Sequence, residues 1–126
     1  MKIIILALIV QVCRCSGLGS FQEKKVDEAT MTMANYAVPL IQSEIDSNKF
    51  FTLKSVDKVH HQIVAGKNYK MELTLVETGC DEIAGQQGLA CPPLDQPRTV
   101  HCKVVVYDVP YRSHREVTKK ECGQPA

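Results

Sequence analysis

The feature that most constrains this chain is the short segment at residues 62–66 (Gln-Ile-Val-Ala-Gly), which joins two stretches with the pattern of β-strands. Tight hairpins favour Asn-Gly, Asp-Gly or a glycine at the first central position. Here the turn is apolar and β-branched, and only Gly66 readily adopts an unusual backbone angle. An apolar tip that faces water costs free energy, so this segment predicts a hairpin whose tip is covered by a partner.

Two segments further along the chain alternate between apolar and polar side chains, as strands with one buried face do. The apolar positions are Tyr69, Met71, Leu73 and Leu75 in the first segment and Val100, Cys102, Val104 and Val106 in the second. Residues 52–63 are rich in β-branched side chains and residues 116–120 are a short charged segment, and we predict both as strands. The alternation indicates an antiparallel sheet with one face in water.

A helical period precedes the strands and begins near Glu23. The i, i+3, i+4 spacing places one helix face at Val26, Ala29, Met33, Ala37, Leu40 and Glu44. Pro39 should kink the second half of this helix, because proline removes a backbone hydrogen bond. One long helix that covers the dry face of an antiparallel sheet gives the fold class α+β.

The first fifteen residues are typical of a secretory signal peptide. Lys2 supplies the positive charge, an unbroken apolar run follows it, and small side chains follow the run. We predict cleavage after Cys15, with cleavage after Gly17 as the alternative; a buried N-terminal strand is the competing interpretation. The predicted organisation is a leader over residues 1–15 and one domain over residues 16–126 of a secreted, extracellular protein.

The charge balance argues against two classes of partner. Removing the leader takes Lys2 and Arg14 from the 15 basic residues, so 13 remain against 14 acidic ones and the net charge becomes −1. The sequence contains no polybasic face, so we expect neither nucleic acid nor an anionic membrane as a partner.

The cysteines that remain after the leader are Cys80, Cys91, Cys102 and Cys122. An even count behind a signal peptide predicts two disulfides, for which three pairings are open. Residues 78–97 are rich in glycine and proline, so we expect a long surface loop there. A disulfide across the ends of that loop would stabilise it.

The sequence contains no catalytic or metal-binding constellation. His60 and His61 are adjacent on a predicted strand, so their side chains point to opposite faces and cannot easily share a metal. All four cysteines are expected to be oxidised, which leaves no thiolate nucleophile. The acidic residues Asp81, Glu82 and Asp108 are interpreted as solvated surface. We therefore predict that the protein is not an enzyme and needs neither a metal nor a cofactor.

The order of these elements resembles that of the secreted, two-disulfide (type 2) cystatins over residues 17–126. The first-loop motif of that family, Gln-x-Val-x-Gly, is matched by Gln62, Val64 and Gly66. The resemblance implies a cystatin-like α+β fold, with one long helix wrapped by a five-stranded antiparallel sheet. The disulfide pairs that it implies are Cys80 with Cys91 and Cys102 with Cys122.

The same resemblance implies a protease-binding edge with three parts. The implied residues are Leu18 and Gly19 in an N-terminal arm, Gln62, Ile63, Val64, Ala65 and Gly66 in the first loop, and Pro110 and Tyr111 in a second loop. Gly17 is the alternative for the arm glycine. An ordinary structural interpretation stays open for Ile63 and Ala65 as strand residues facing the helix, for Gly66 in a bulge, and for Pro110 as a turn residue.

The resemblance implies a secreted, reversible, tight-binding inhibitor of papain-like cysteine proteases, with cathepsin L- and S-type endopeptidases favoured. The arm, the first loop and the Pro-Tyr loop would occlude the active-site cleft without a covalent step. Tyr111 stands where the family carries tryptophan, and tyrosine offers less contact area. The competing hypothesis is therefore a cystatin-fold binding protein that has lost or weakened inhibition.

Two more partners follow from the resemblance. Some secreted cystatins inhibit legumain through an asparagine in the loop after the helix, and Asn48 is the candidate here; a turn residue that ends the helix is the competing interpretation. The second partner is another copy of this chain. Val64 is β-branched and lies at a tight turn where we expect strain, and opening that turn would allow the monomer to form a domain-swapped dimer.

Overall fold

The computed structural model describes residues 20–126, so the predicted leader and the arm residues Leu18 and Gly19 lie outside the described part of the chain. The elements in chain order are β1 (Gln22–Lys24), α1 (Glu28–Ala37), two 3-10 turns (Val38–Leu40 and Gln42–Glu44), β2 (Lys49–Val64), β3 (Gly66–Asp81), α2 (Glu82–Gln86), β4 (Thr99–Val109), a third 3-10 turn (Pro110–Arg112) and β5 (His114–Cys122). The strands form one antiparallel sheet in the order β1-β2-β3-β4-β5. Between residues 20 and 126, no helix is long and apolar enough to span a membrane.

The core lies between α1 and one face of the sheet. The predicted inward faces of β3 and β4 are confirmed, because all their apolar positions are buried, from Tyr69 at 4% exposure to Leu75 at 0%. Met33, Ala34 and Ala37 of α1 belong to the same buried cluster, and the two alanines let the helix approach the sheet closely. The α+β class, with a five-stranded antiparallel sheet and one main helix, is confirmed.

The helix begins later than predicted, because Asp27 caps its N-terminus. The segment Gln22–Lys24 is strand β1, and the Asp27 carboxylate accepts a hydrogen bond from the backbone N–H of Thr30 at 2.9 Å. Lys24 Nζ lies 2.6 Å from Asp27 Oδ2. The Lys24 ammonium, followed by the N–H and hydroxyl of Thr30, holds the pKa of Asp27 well below its ordinary value. This link between β1 and α1 therefore persists down to the ordinary carboxyl pKa and is lost only as the pH falls below it.

The predicted helix face is wrong at both ends. The residues that lie exposed instead of buried are Val26, Ala29, Leu40 and Glu44. The α-helix ends at Ala37, and Pro39 lies in the 3-10 turn that follows, because proline has no N–H to continue the α-helical ladder. A 3-10 turn is wound more tightly than an α-helix, so the phase of the inward face changes. Val38 and Ile41 are buried in consequence.

Gln42 connects the end of the helical segment to β2 through buried hydrogen bonds. Its Nε2 donates to the carbonyl of Val38 at 3.0 Å and to the carbonyl of Phe51 at 2.8 Å, and its Oε1 accepts from the N–H of Phe51 at 2.9 Å. Within residues 20–126, β1 pairs with β2 at positions 59–61 and does not reach Phe51. The Gln42 amide therefore satisfies backbone groups of β2 that no strand of this described part pairs on this side.

The region predicted as a long surface loop, residues 78–97, is more regular than expected at its start. β3 continues to Asp81, and α2 follows it directly. Disulfides join Cys80 to Cys91 and Cys102 to Cys122, which are the pairs that the resemblance implied.

Candidate functional site

The β2–β3 hairpin ends in an exposed apolar tip. Val64 is paired with Gly66, and Ala65 is the residue that turns the chain between the two strands. Ile63 is 56% exposed and Val64 is 41% exposed. Ile63 and Ala65 thus project into solvent, so the interpretation of them as strand residues that face the helix is wrong.

The base of this tip is held by side-chain and backbone contacts across the two strands. Gln62 Oε1 accepts a hydrogen bond from Asn68 Nδ2 at 2.8 Å, and the two residues are cross-strand partners. Ile63 is the cross-strand partner of Lys67. The tip is therefore the end of a continuous ladder and not a separate loop.

Gly66 carries the unusual backbone angle of the turn, with φ +110°. A Cβ atom at this position would lie 2.7 Å from the carbonyl oxygen of Asp108 and 2.7 Å from Val109 Cγ2. We expected backbone strain at Val64. Within residues 20–126 the non-glycine residue with positive φ is Ser113, so Val64 is not strained by a left-handed backbone angle. Glycine is required at position 66 both by the backbone angle and by the close approach of β4.

The second loop stands beside the hairpin because β4 pairs with β3 up to the turn. Asp108 is the cross-strand partner of Lys67, and the 3-10 turn Pro110–Arg112 begins two residues later. The N–H of Ser113 donates to the carbonyl of Pro110 at 3.0 Å, and Ser113 adopts φ 51° to lead into β5. Pro110 is thus a turn residue, and it presents Tyr111 with 74% of its surface exposed.

The N-terminal segment approaches the same end of the sheet. Gln22 of β1 is paired with His61, and the two strands are antiparallel, so residues 20–21 lie toward the hairpin tip. Phe21 is 38% exposed, and Lys70 Nζ lies 5.6 Å from the centre of its ring. We call residues 20–21, 63–66 and 110–112 together the loop edge. Leu18 and Gly19 precede it in sequence and lie outside the described residues.

An ion pair between Asp108 and Arg115, which the sequence pattern did not predict, lies next to the second loop of the loop edge. Asp108, interpreted as solvated surface, is only 7% exposed, and it accepts a hydrogen bond from Arg115 Nε at 2.9 Å. The hydroxyl of Tyr36 donates to the carbonyl of Arg115 at 2.8 Å, across a separation of 79 residues. These contacts join α1, β4 and β5 just below the second loop. No local sequence pattern reports a contact between residues so far apart in the chain.

Asn48 lies at the other end of the sheet. It is exposed, it immediately precedes β2, and its carbonyl accepts a hydrogen bond from the N–H of Glu82 at 2.9 Å. The 16 residues of β2 separate it from the hairpin tip, which corresponds to roughly 50 Å along an extended strand. Asn48 is therefore not part of the loop edge.

Comparison with known proteins assigns this architecture to one family. A family model described as "Cystatin domain" matches residues 19–111. Cystatin-2 of Ornithodoros moubata is 30% identical over 107 residues, which cover 82% of this chain and 80% of that protein. Cystatin-1 of the same organism is 28% identical over 126 residues, with 95% and 96% covered.

Solved structures agree with these sequence relationships. The crystal structure of Al-CPI has a TM-score of 0.70 at 27% identity and covers 86% of this chain and 100% of its own. The salivary cystatin from the soft tick Ornithodoros moubata has a TM-score of 0.66 at 27% identity, with 83% and 97% covered.

The close approach of β4 to Gly66 generates a prediction about stability. Gly66→Ala should lower the free energy of unfolding by about 3 kcal/mol. Alanine is strained at the positive φ of this position, and its Cβ would collide with the backbone of β4. Gly88→Ala is the matched control: Gly88 has φ +75° with nothing within 4 Å of a Cβ, so only about 1 kcal/mol should be lost. Denaturant titration measures both values, and equal losses would contradict the packing argument.

Proposed function

This chain belongs to the cystatin family, and we propose that it is a reversible, tight-binding inhibitor of papain-like cysteine proteases. The observation that carries the proposal is the exposed apolar hairpin tip, where Ile63 is 56% and Val64 is 41% exposed. Tyr111 of the neighbouring loop is 74% exposed. Apolar groups gathered on one exposed edge are costly in water and favour a partner that covers them.

A narrow edge of this kind fits a narrow cleft. The active site of a papain-like protease lies between two domains and contains a Cys–His pair, activated as thiolate and imidazolium. The hairpin tip is narrow because Ala65 alone turns the chain between two paired strands. Val64 is β-branched and stiff, so little side-chain entropy is lost when it is buried. We expect the tip to exclude substrate from the cleft without any bond to the thiolate.

The arm completes the proposed inhibitory edge. Leu18 would fill an apolar specificity pocket of the protease, and Gly19 would let the backbone turn away before a peptide bond is presented to the thiolate. The pairing of Gln22 with His61 supports this role, because it places residues 20–21, which follow the arm in sequence, toward the hairpin tip.

We also propose that the protein is secreted, with residues 1–15 as a cleaved leader and residues 16–126 as the inhibitory domain. The two disulfides support this assignment. Disulfides form and persist in oxidising compartments and are rare in the cytosol.

Cathepsin L- and S-type endopeptidases are the preferred targets in this proposal, because their clefts are open. An exopeptidase whose cleft is partly covered by an extra loop must first displace that loop, which consumes binding energy. Tyr111 supplies less contact area than the tryptophan typical of the family. The alternative function is a cystatin-fold binding protein with lost or weakened inhibition, and titration of the parent protein against papain and these enzymes separates the two.

The hairpin tip can be tested by one buried charge. Val64→Asp should weaken the inhibition of papain by about 3–5 kcal/mol, because the carboxylate would enter the cleft without a partner. Ile83→Asp is the matched control, since Ile83 is 70% exposed on α2 at the other end of β3. It should leave the inhibition constant unchanged. If both variants inhibit papain as well as the parent does, the hairpin tip is not the inhibitory element.

Asn48 is a candidate second site, for an asparagine-specific endopeptidase of the legumain type. Its exposure and its distance from the loop edge support a separate site. Asn48→Ala should abolish inhibition of legumain and leave papain inhibition intact. If the parent protein fails to inhibit legumain at micromolar concentration, Asn48 is an ordinary turn residue.

We further propose that mild destabilisation converts the monomer into a domain-swapped dimer. If the turn at Ala65 opened, β2 and β3 would become one continuous strand, and β1, α1 and β2 would pack on a second molecule. Both disulfides follow Gly66 in the chain and would remain within one molecule.

The dimer should not inhibit papain, because its hairpin tip no longer exists. Size-exclusion chromatography of a warmed sample, with a papain assay on each fraction, measures both properties. A dimer with full inhibitory activity would refute this mechanism.

A further inference from the structure

Tyr107 of β4 contacts the hairpin turn at Ala65 and also His114, which begins β5 just after the second loop. We propose that Tyr107 is a positioning residue, which holds the hairpin tip in a fixed relation to the second loop so that the two enter the protease cleft as one body. This inference rests on the proposed function, and it adds a residue that acts through the hairpin turn.

The first contact is a hydrogen bond to the turn. The Tyr107 hydroxyl donates to the carbonyl of Ala65 at 2.5 Å. Ala65 is the residue that joins β2 to β3, so this bond acts on the turn itself. The Tyr107 ring is also close to Gly66, since its Cε1 lies 3.4 Å from the place of a Cβ there. A tyrosine on β4 therefore holds a turn 42 residues away in the sequence.

The second contact is with the chain that leaves the second loop. The rings of Tyr107 and His114 meet edge to face, with their centres 5.9 Å apart. His114 begins β5 directly after the turn Pro110–Arg112 and Ser113. It is the cross-strand partner of Val109, whose Cγ2 approaches Gly66. Movement of the hairpin turn relative to the start of β5 would disrupt a contact of Tyr107.

The Tyr107 hydroxyl fixes the position of the hairpin turn and contributes little to the free energy of unfolding. The carbonyl of Ala65 lies at an exposed tip, where water can replace the tyrosine hydroxyl as donor. Loss of the hydroxyl therefore removes little stability but lets the tip move before binding. A tip that must be ordered during binding associates with lower affinity, because the entropy of ordering is then lost in the binding step.

Tyr107→Phe tests this role, because it removes the hydroxyl and keeps the ring. The inhibition constant for papain should rise about fivefold, because the turn must then be ordered in the binding step. Amide hydrogen exchange in the free protein should become faster at residues 62–67 and stay unchanged in the rest of the sheet. The exchange measurement is independent of any protease.

Thr78→Val is the matched control. The Thr78 hydroxyl donates to the carbonyl of Phe50 at 2.7 Å, between β3 and β2 at the end of the hairpin distant from the tip. This variant should leave both the inhibition constant and the exchange at residues 62–67 unchanged, even where its melting temperature falls.

Each outcome decides a separate question. If Tyr107→Phe changes neither the exchange at the tip nor the inhibition constant, Tyr107 does not position the turn. If both variants raise the inhibition constant equally, the effect is one of general stability, and the inference is also overturned. If the parent protein inhibits no papain-like enzyme, the proposed function fails, and the exchange measurement alone decides whether Tyr107 holds the turn.

Discussion

The antiparallel pairing of β2 with β3 is the interaction on which the rest of the structure depends. The ladder runs from Lys49 with Asp81 at one end to Val64 with Gly66 at the other. Side chains alternate along a strand, so a shift of one residue would turn Tyr69 and its neighbours from the core into water. The register that buries the core is thus the same register that leaves Ile63 and Val64 exposed at the tip.

Polar side chains complete the sheet and the helix where backbone pairing stops. Gln42 supplies both a donor and an acceptor to Phe51 on the unpaired side of β2. Asp27 caps α1 and pairs with Lys24 at the end of β1. A buried donor or acceptor without a partner costs about 1–3 kcal/mol, so the buried Gln42 contacts stabilise the start of β2. The helix is short because Asp27 caps its start and Pro39 cannot continue its hydrogen-bond ladder.

The loop edge combines exposure with support. Ile63, Val64 and Tyr111 expose apolar surface to a partner. Residues of β4 and β5 contact the base of the loops and stabilise them. Gly66 is packed against Asp108 and Val109, and Asp108 is itself paired with Arg115. A binding surface that is ordered before it meets its partner loses less entropy in the complex. The sheet therefore prepares the edge that we propose enters the protease cleft.

Much of this protein could be predicted from the sequence by itself. The period of two in β3 and β4 identified the buried faces, because alternation is a local property of an extended chain. The segment at residues 62–66, the Pro-Tyr pair and the cysteine order were sufficient for the family resemblance. The helix was predicted only in part, since a cap at Asp27 and a 3-10 turn at Pro39 change its bounds and its phase.

The tertiary structure alone decided which residues support the loop edge. Asp108 is buried on β4, and its carboxylate is paired with Arg115 on the neighbouring strand β5. Gly66 must be glycine partly because β4 passes against it, and Tyr107 reaches Ala65 over a separation of 42 residues. Local periodicity reports the environment of a residue along its own strand or helix. Contacts between distant segments depend on the register and order of the strands, and these exist only once the sheet has formed.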